Sequence, residues 1–124
     1  MNNTLVSVVD DDQSMSRMLC RAITAAGLDV ATFGSAEDFL ASGRGDESAC
    51  LILDMNLPGM SGIELQQTLN ERRLDLPIIF ISAEADEDTQ RRVLRAGAAA
   101  FFSKPFSIEA LLATVCSAAS ISLS

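Results

Sequence analysis

Apolar residues run along this chain in two alternating rhythms. Leu5-Val6-Ser7-Val8-Val9 is a short run rich in β-branched residues, the pattern of a strand. Met15, Met18, Leu19, Ala22, Ile23 and Ala26 then recur at helical spacing, and Gly27 supplies a stop. Leu28-Asp29-Val30-Ala31-Thr32-Phe33 alternates like a half-exposed strand. Ser35 is a natural N-cap for a helix through Phe39 and Leu40, with Asp38 placed to complete a capping box. Residues 42–46, SGRGD, read as a loop.

Cys50-Leu51-Ile52-Leu53 is apolar throughout, as a strand covered on both faces is, and it ends at Asp54. A turn-rich loop, NLPGMSG from Asn56 to Gly62, precedes a helix patterned by Ile63, Leu65 and Leu69. Pro77-Ile78-Ile79-Phe80-Ile81 is another buried strand, ending at Ser82. Asp86-Glu87-Asp88 followed by Arg91, Arg92 and Arg95 match a helix macrodipole, and Gly97 stops that helix. Ala98 to Phe102 forms a weaker strand leading to Ser103-Lys104-Pro105, and Ile108, Leu111, Leu112, Val115 and Ala119 stripe a last helix.

Five strand–helix units predict an α/β fold, a parallel sheet with helices on both faces. Right-handed crossovers make it doubly wound. Ligands in such sheets sit beyond the carboxyl ends of the strands.

Composition narrows the chemistry. The 124 residues suit one domain, taken here as 1–124, and 48% hydrophobic residues supply a core. A net charge of -8 argues against a polyanion-binding surface, so no direct nucleic-acid binding is expected. No apolar run reaches the roughly 18 residues of a spanning helix, and Met1-Asn2-Asn3 opens no signal peptide, which predicts a cytoplasmic protein. Cys20, Cys50 and Cys116 are far apart and form no CxxC pair, so they read as small buried side chains or inert thiols. The absence of histidine removes every Ser-His, Cys-His and His-metal constellation. Chemistry must run on carboxylates, hydroxyls and lysine, with or without a metal.

The residues that follow the strands answer that requirement. Asp10, Asp11 and Asp12 follow the first strand, Asp54 the third, Ser82 the fourth, and Lys104 lies near the end of the fifth. Any one of these acids could simply cap a helix. Together they would converge on one sheet edge. Asp10, Asp11 and Asp54 would bring three negative charges together; Lys104 offsets one, and a divalent cation offsets the other two. Oxygen ligands suit Mg²⁺, with Mn²⁺ also admissible. Side chains alternate along an extended chain, so the three consecutive acids cannot all face one pocket; Asp12 is left to cap the first helix or to face water.

VVDDDQ, LILDMNLPGMSG, FISAEAD and FFSKPF, in this order, resemble the receiver domain of two-component response regulators, over essentially the whole chain. SAEDFL and LPGMSGIEL are closest to receivers of the nitrogen-fixation-regulator type. The resemblance implies a flavodoxin-like (βα)5 fold with strand order 2-1-3-4-5. It implies that Asp54 takes a phosphoryl group from the phosphohistidine of a sensor histidine kinase. Asp11, Asp54 and the Asn56 backbone carbonyl would hold Mg²⁺, with Asp10 on a metal-bound water. Lys104 would pair with Asp54 and then with the phosphoryl oxygens, which Ser82 also meets; small Ala83 leaves room for the group. Phe101 matches a switch aromatic, and the Lys104–Pro105 bond would be cis. Asn56 and Glu84 flank the path of hydrolytic water and would set the phosphoryl lifetime. The resemblance further implies a phosphorylation-dependent homodimer through the fourth helix, fifth strand and last helix, and either a C-terminal DNA-binding output domain outside this chain or a stand-alone receiver.

The physical reading agrees with these roles. In-line phosphoryl transfer asks for positioning and charge neutralisation, and a carboxylate nucleophile is already ionised at neutral pH. The chain would catalyse only its own phosphorylation and dephosphorylation. The alternative is an aspartyl-phosphate phosphohydrolase of haloacid-dehalogenase type, which wants an acid two residues after the nucleophile; Asn56 stands there. A flavin module is disfavoured because three carboxylates after the first strand would repel a phosphate, and a G-x-x-x-x-G-K-[ST] loop is absent.

Overall fold

The computed structural model describes residues 4–84 and 86–119. The outer residues of the expected 1–124 domain, and Ala85 of the FISAEAD motif, lie outside the described residues. Strands β1 (Leu5–Val9), β2 (Asp29–Phe33), β3 (Ser48–Asp54), β4 (Ile78–Ser82) and β5 (Ala100–Ser103) alternate with helices α1 (Gln13–Ala25), α2 (Ala36–Ser42), α3 (Gly62–Glu71), α4 (Glu87–Arg95) and α5 (Ile108–Ala118). All strand pairs are parallel, in the order β2-β1-β3-β4-β5. This is the doubly wound sheet expected from the alternation.

The central strands are apolar because both faces are covered. Val9, Leu51, Leu53 and Phe80 pack with Phe39 of α2, Leu65 and Leu69 of α3 and Val93 of α4. Val6, Val8, Ile52, Ile79 and Ile81 pack on the opposite face with Leu19 and Ile23 of α1 and Leu111 and Val115 of α5. Odd and even positions along each strand therefore serve separate cores, as the pleat requires. Strand β2 lies at the edge, and its incomplete burial follows from that place: Asp29 and Thr32 are exposed and Val30, Ala31 and Phe33 half-buried, without the strict alternation expected.

Four local features differ from the expectation. Residues Arg44–Asp46, read as loop, form one 3₁₀ turn. The Ser35 hydroxyl accepts the Asp38 N–H, but the capping box with both halves in place lies at Ser61 and Glu64 of α3. Met18, counted in the apolar stripe of α1, is 40% exposed; it lines an open surface with Ser14, Arg17 and Arg21 instead of the core. Strand β5 begins at Ala100, two residues later than its apolar run. Helix α4 buries Val93 alone, and α3 holds its C-terminal end: Gln66 Nε2 donates to the Val93 carbonyl and Asn70 Nδ2 to the Ala96 carbonyl, each at 3.0 Å. Among the described residues, no helix is long and apolar enough to cross a membrane.

Candidate phosphoryl and metal site

Register places the site before any side chain is considered. Val9 pairs with Leu53, so Asp10 and Asp54 come level at the carboxyl edge of neighbouring strands. Asp54 pairs with Ile81, and Ser82 with Ser103. The ladder continues one step further, with the Lys104 N–H donating to the Ser82 carbonyl at 2.7 Å. Asp54 and Lys104 share the pleat side of Ile81 and Phe102. Ser82 shares the other side with Phe80 and Phe101, which are themselves paired.

Asp10, Asp11 and Asp54 each bring an acidic oxygen within 4.8 Å of the others. Asp10 is 2% and Asp54 5% exposed, whereas Asp11 faces solvent. Lys104 stands between the buried pair, its Nζ 3.5 Å from Asp10 Oδ2 and 3.8 Å from Asp54 Oδ2. The expected Lys104–Asp54 pair is thus shared with Asp10, which is the nearer partner. Asp10 Oδ1 accepts the Asp12 N–H at 2.9 Å, while its buried Oδ2 has no hydrogen-bond partner among the described residues. Burial first, and then the like charge of Asp10, push the Asp54 carboxyl up to about 6; the Asn56 N–H and the Lys104 ammonium work in the opposite direction.

One cation among three carboxylates leaves negative charge uncompensated, and the donors are all hard oxygens. An orphaned buried oxygen and an exposed, waterable acid beside it fit a hexacoordinate Mg²⁺ that keeps part of its water. The residues present therefore fit the metal that their charge count asked for.

Asp12 settles as a cap. Its Oδ1 accepts the N–H groups of Ser14 and Met15 at 2.9 and 3.4 Å, at the N-terminus of α1. The Asn56 N–H donates to Asp54 Oδ1 at 3.2 Å, and Asn56 Nδ2 reaches Ser82 Oγ at 3.4 Å. Ser82 is 1% exposed. Its hydroxyl donates to the Glu84 carbonyl at 2.8 Å and accepts the Glu84 N–H at 3.1 Å. Ala83 and Glu84 are exposed, Phe101 is half-buried against the α2–α4 core, and the Lys104–Pro105 peptide is cis. A groove of about 440 Å³, lined by Asp10, Asp11, Ser16, Arg17 and Phe33 among others, opens beside the acids.

Helix α3 presses on the strand that carries Asp54. A Cβ at Gly62 would lie 2.7 Å from the Asp54 carbonyl oxygen and 3.0 Å from Met55 Cα. Only glycine lets the first turn of α3 approach that closely. All three cysteines are free: Cys20 lines the groove beside the acids, while Cys50 and Cys116 are buried, and burial pushes the Cys50 thiol up to about 12.

Residues 6–116 match the response regulator receiver domain family. The chain belongs to that family. The receiver domain is 42% identical over 114 residues to nodulation protein W of Bradyrhizobium diazoefficiens, covering 92% of this chain and 50% of that protein. It is 34% identical over 110 residues to the transcriptional regulatory protein FixJ of Azorhizobium caulinodans, covering 89% of this chain and 52% of that protein. A solved structure of the response regulator StyR superposes with a TM-score of 0.89 at 41% identity, covering 96% of this receiver and 60% of that chain. The resemblance to nitrogen-fixation-type regulators is supported, and the phosphohydrolase alternative is not. The chain spans about half the length of the curated relatives it matches.

Proposed function

We propose that Asp54 is the phosphoacceptor of a cytoplasmic two-component receiver domain extending over residues 1–124. The observation that carries this reading is the convergence of Asp10, Asp11 and Asp54 around a single lysine at the sheet edge. The Asp54 carboxylate attacks the phosphorus of a histidine kinase's phosphohistidine; the P–N bond breaks, the imidazole leaves with a proton from solvent, and an acyl phosphate remains. Asp11, Asp54 and the Asn56 backbone carbonyl would hold Mg²⁺ or Mn²⁺, with Asp10 on its water. The bound cation supplies charge neutralisation for the incoming phosphoryl oxygens.

The chain's own residues do the rest. The Asn56 N–H orients the Asp54 carboxylate. Lys104 is already beside Asp54 and follows the charge onto the phosphoryl group. Ser82 has one hydroxyl proton, now given to the Glu84 carbonyl. To meet a phosphoryl oxygen it must release that carbonyl, which frees the loop between β4 and α4. Phe101, on the same sheet face as Ser82, would fill the changed space. Exposed Ala83 leaves the approach open, and Asn56 and Glu84 would govern access of hydrolytic water. The bistable element lies under α4, β5 and α5, which would form a phosphorylation-dependent dimer face. The longer relatives support a C-terminal output domain acting on transcription.

The test is incubation with Mg²⁺ and acetyl phosphate followed by mass spectrometry. One phosphoryl adduct is expected, absent with chelator and absent in Asp54→Asn. An adduct that persists in Asp54→Asn would overturn the assignment.

A further inference from the structure

The loop that follows Asp54 is fastened by a helix that packs on the same face of the sheet as α3. Glu37 lies in the first turn of α2, where a helix N-terminus favours a carboxylate. Its Oε2 accepts the Met60 N–H at 3.1 Å, across 23 residues of sequence. The backbone makes room for this contact. Gly59 adopts φ +72°, and a Cβ there would stand 2.5 Å from the same Glu37 oxygen. The rest of the loop is held by the Gly62 N–H on the Met55 carbonyl at 3.2 Å, by buried Leu57 and by Met60 packed on the α2–α4 core. Asn56, which orients Asp54, lies between these anchors.

We propose that Glu37 is a positioning residue for the phosphoacceptor site. Its carboxylate fixes residues 56–60 so that the Asn56 backbone keeps its place beside Asp54. The inference rests on the reading of Asp54 and Mg²⁺ given above. Glu37 itself is not one of the clustered acids and acts through the loop alone. A carboxylate-to-N–H bond is a charge-assisted one, suited to holding an exposed segment. Residues that orient ligands are needed almost as much as the ligands. Without Glu37, loop motion would take the Asn56 N–H off Asp54 Oδ1 and unfix the carbonyl assigned to the cation.

The experiment is calorimetric titration of Mg²⁺ into the wild type, Glu37→Ala, Glu37→Gln, Gly59→Ala and the Glu37→Ala/Gly59→Ala pair. Urea midpoints and amide NMR spectra accompany it. Glu37→Ala should weaken Mg²⁺ binding roughly threefold to tenfold, the worth of one hydrogen bond. Glu37→Gln keeps an acceptor oxygen and should return affinity to within about twofold of wild type. The Asn56 and Met60 amide signals should shift in Glu37→Ala and return in Glu37→Gln. Gly59→Ala displaces the carboxylate, so adding Glu37→Ala to it should cost little more. Mg²⁺ affinity unchanged in Glu37→Ala, or lost equally in Glu37→Gln, overturns the positioning role. A wild type that binds no Mg²⁺ overturns the site reading and this proposal together.

Discussion

Lys104 lies closer to Asp10 than to Asp54, at 3.5 against 3.8 Å. Asp10 Oδ2 is buried without a hydrogen-bond partner among the described residues, so the ammonium is its principal compensation. Lys104→Ala should therefore destabilise the metal-free fold by roughly 1–3 kcal/mol, the cost of an uncompensated buried charge discounted for partial exposure. Millimolar Mg²⁺ should recover part of that loss, because a cation can replace a cation. Urea unfolding with and without Mg²⁺ checks both statements. A loss that Mg²⁺ leaves untouched would show that Lys104 serves packing, not charge.

The Asp54 carboxyl is raised to about 6 from an ordinary 3.8, chiefly by burial. Its charged form is thus disfavoured in the folded state, and the fold binds more protons than the unfolded chain between those two values. Stability is lost as pH rises through this window, and the loss is complete above about pH 6. Asp54→Asn removes the penalty. It should stabilise the metal-free protein by roughly 1–3 kcal/mol at pH 7.5, a gain that fades toward pH 4. Parallel urea curves at three pH values decide it; a difference independent of pH would contradict the buried-charge account.

Proton and metal should compete for the same carboxylate. Mg²⁺ should raise the melting temperature at pH 7.5 by mass action and do so much less at pH 5, where Asp54 is largely protonated. EDTA should reverse the rise, and Asp11→Ala should abolish it. Differential scanning calorimetry across that range provides the comparison. An equal rise at both pH values would place the cation elsewhere.

The three consecutive acids should separate by function. Asp12→Ala removes a helix cap and should cost about 1 kcal/mol of stability. Its Mg²⁺ affinity should stay near that of the wild type. Asp11→Ala, at an exposed position, should leave stability nearly unchanged and lose most of the Mg²⁺ affinity. Calorimetric titration beside urea unfolding tells the two apart, and matching behaviour of the two variants would refute the division.

Much of this arrangement was legible in the residues. Strand ends are marked by abrupt apolar-to-polar steps, at Val9/Asp10, Leu53/Asp54 and Ile81/Ser82, and parallel topology then forces those ends together. The capping box at Ser61 and Glu64 is written as S-x-x-E and the Ser35 cap as S-x-x-D; spacing alone does not tell which of the two closes with both halves. Glu37 carried no signal, since its partner is a backbone N–H 23 residues away. Gln66 and Asn70 read as ordinary polar helix positions because their acceptors belong to another helix. The sharing of Lys104 between two acids depended on side-chain reach, which no pattern encodes.

The tight seat of Gly62 against the Asp54 carbonyl has a mechanical meaning. Strand β3 has its back to a wall: the first turn of α3 leaves not even a methyl group of clearance behind it. A phosphoryl group arriving at Asp54 cannot push its own strand away. The opposite bank is softer: the Ser82 hydroxyl is held by the Glu84 backbone and, at 3.4 Å, by Asn56 Nδ2, and α4 is tethered by α3 at its C-terminal end. Load applied at an anvil is felt by whatever rests on its free side, so the proposed phosphoryl group on Asp54 would send its recoil through β4 and α4.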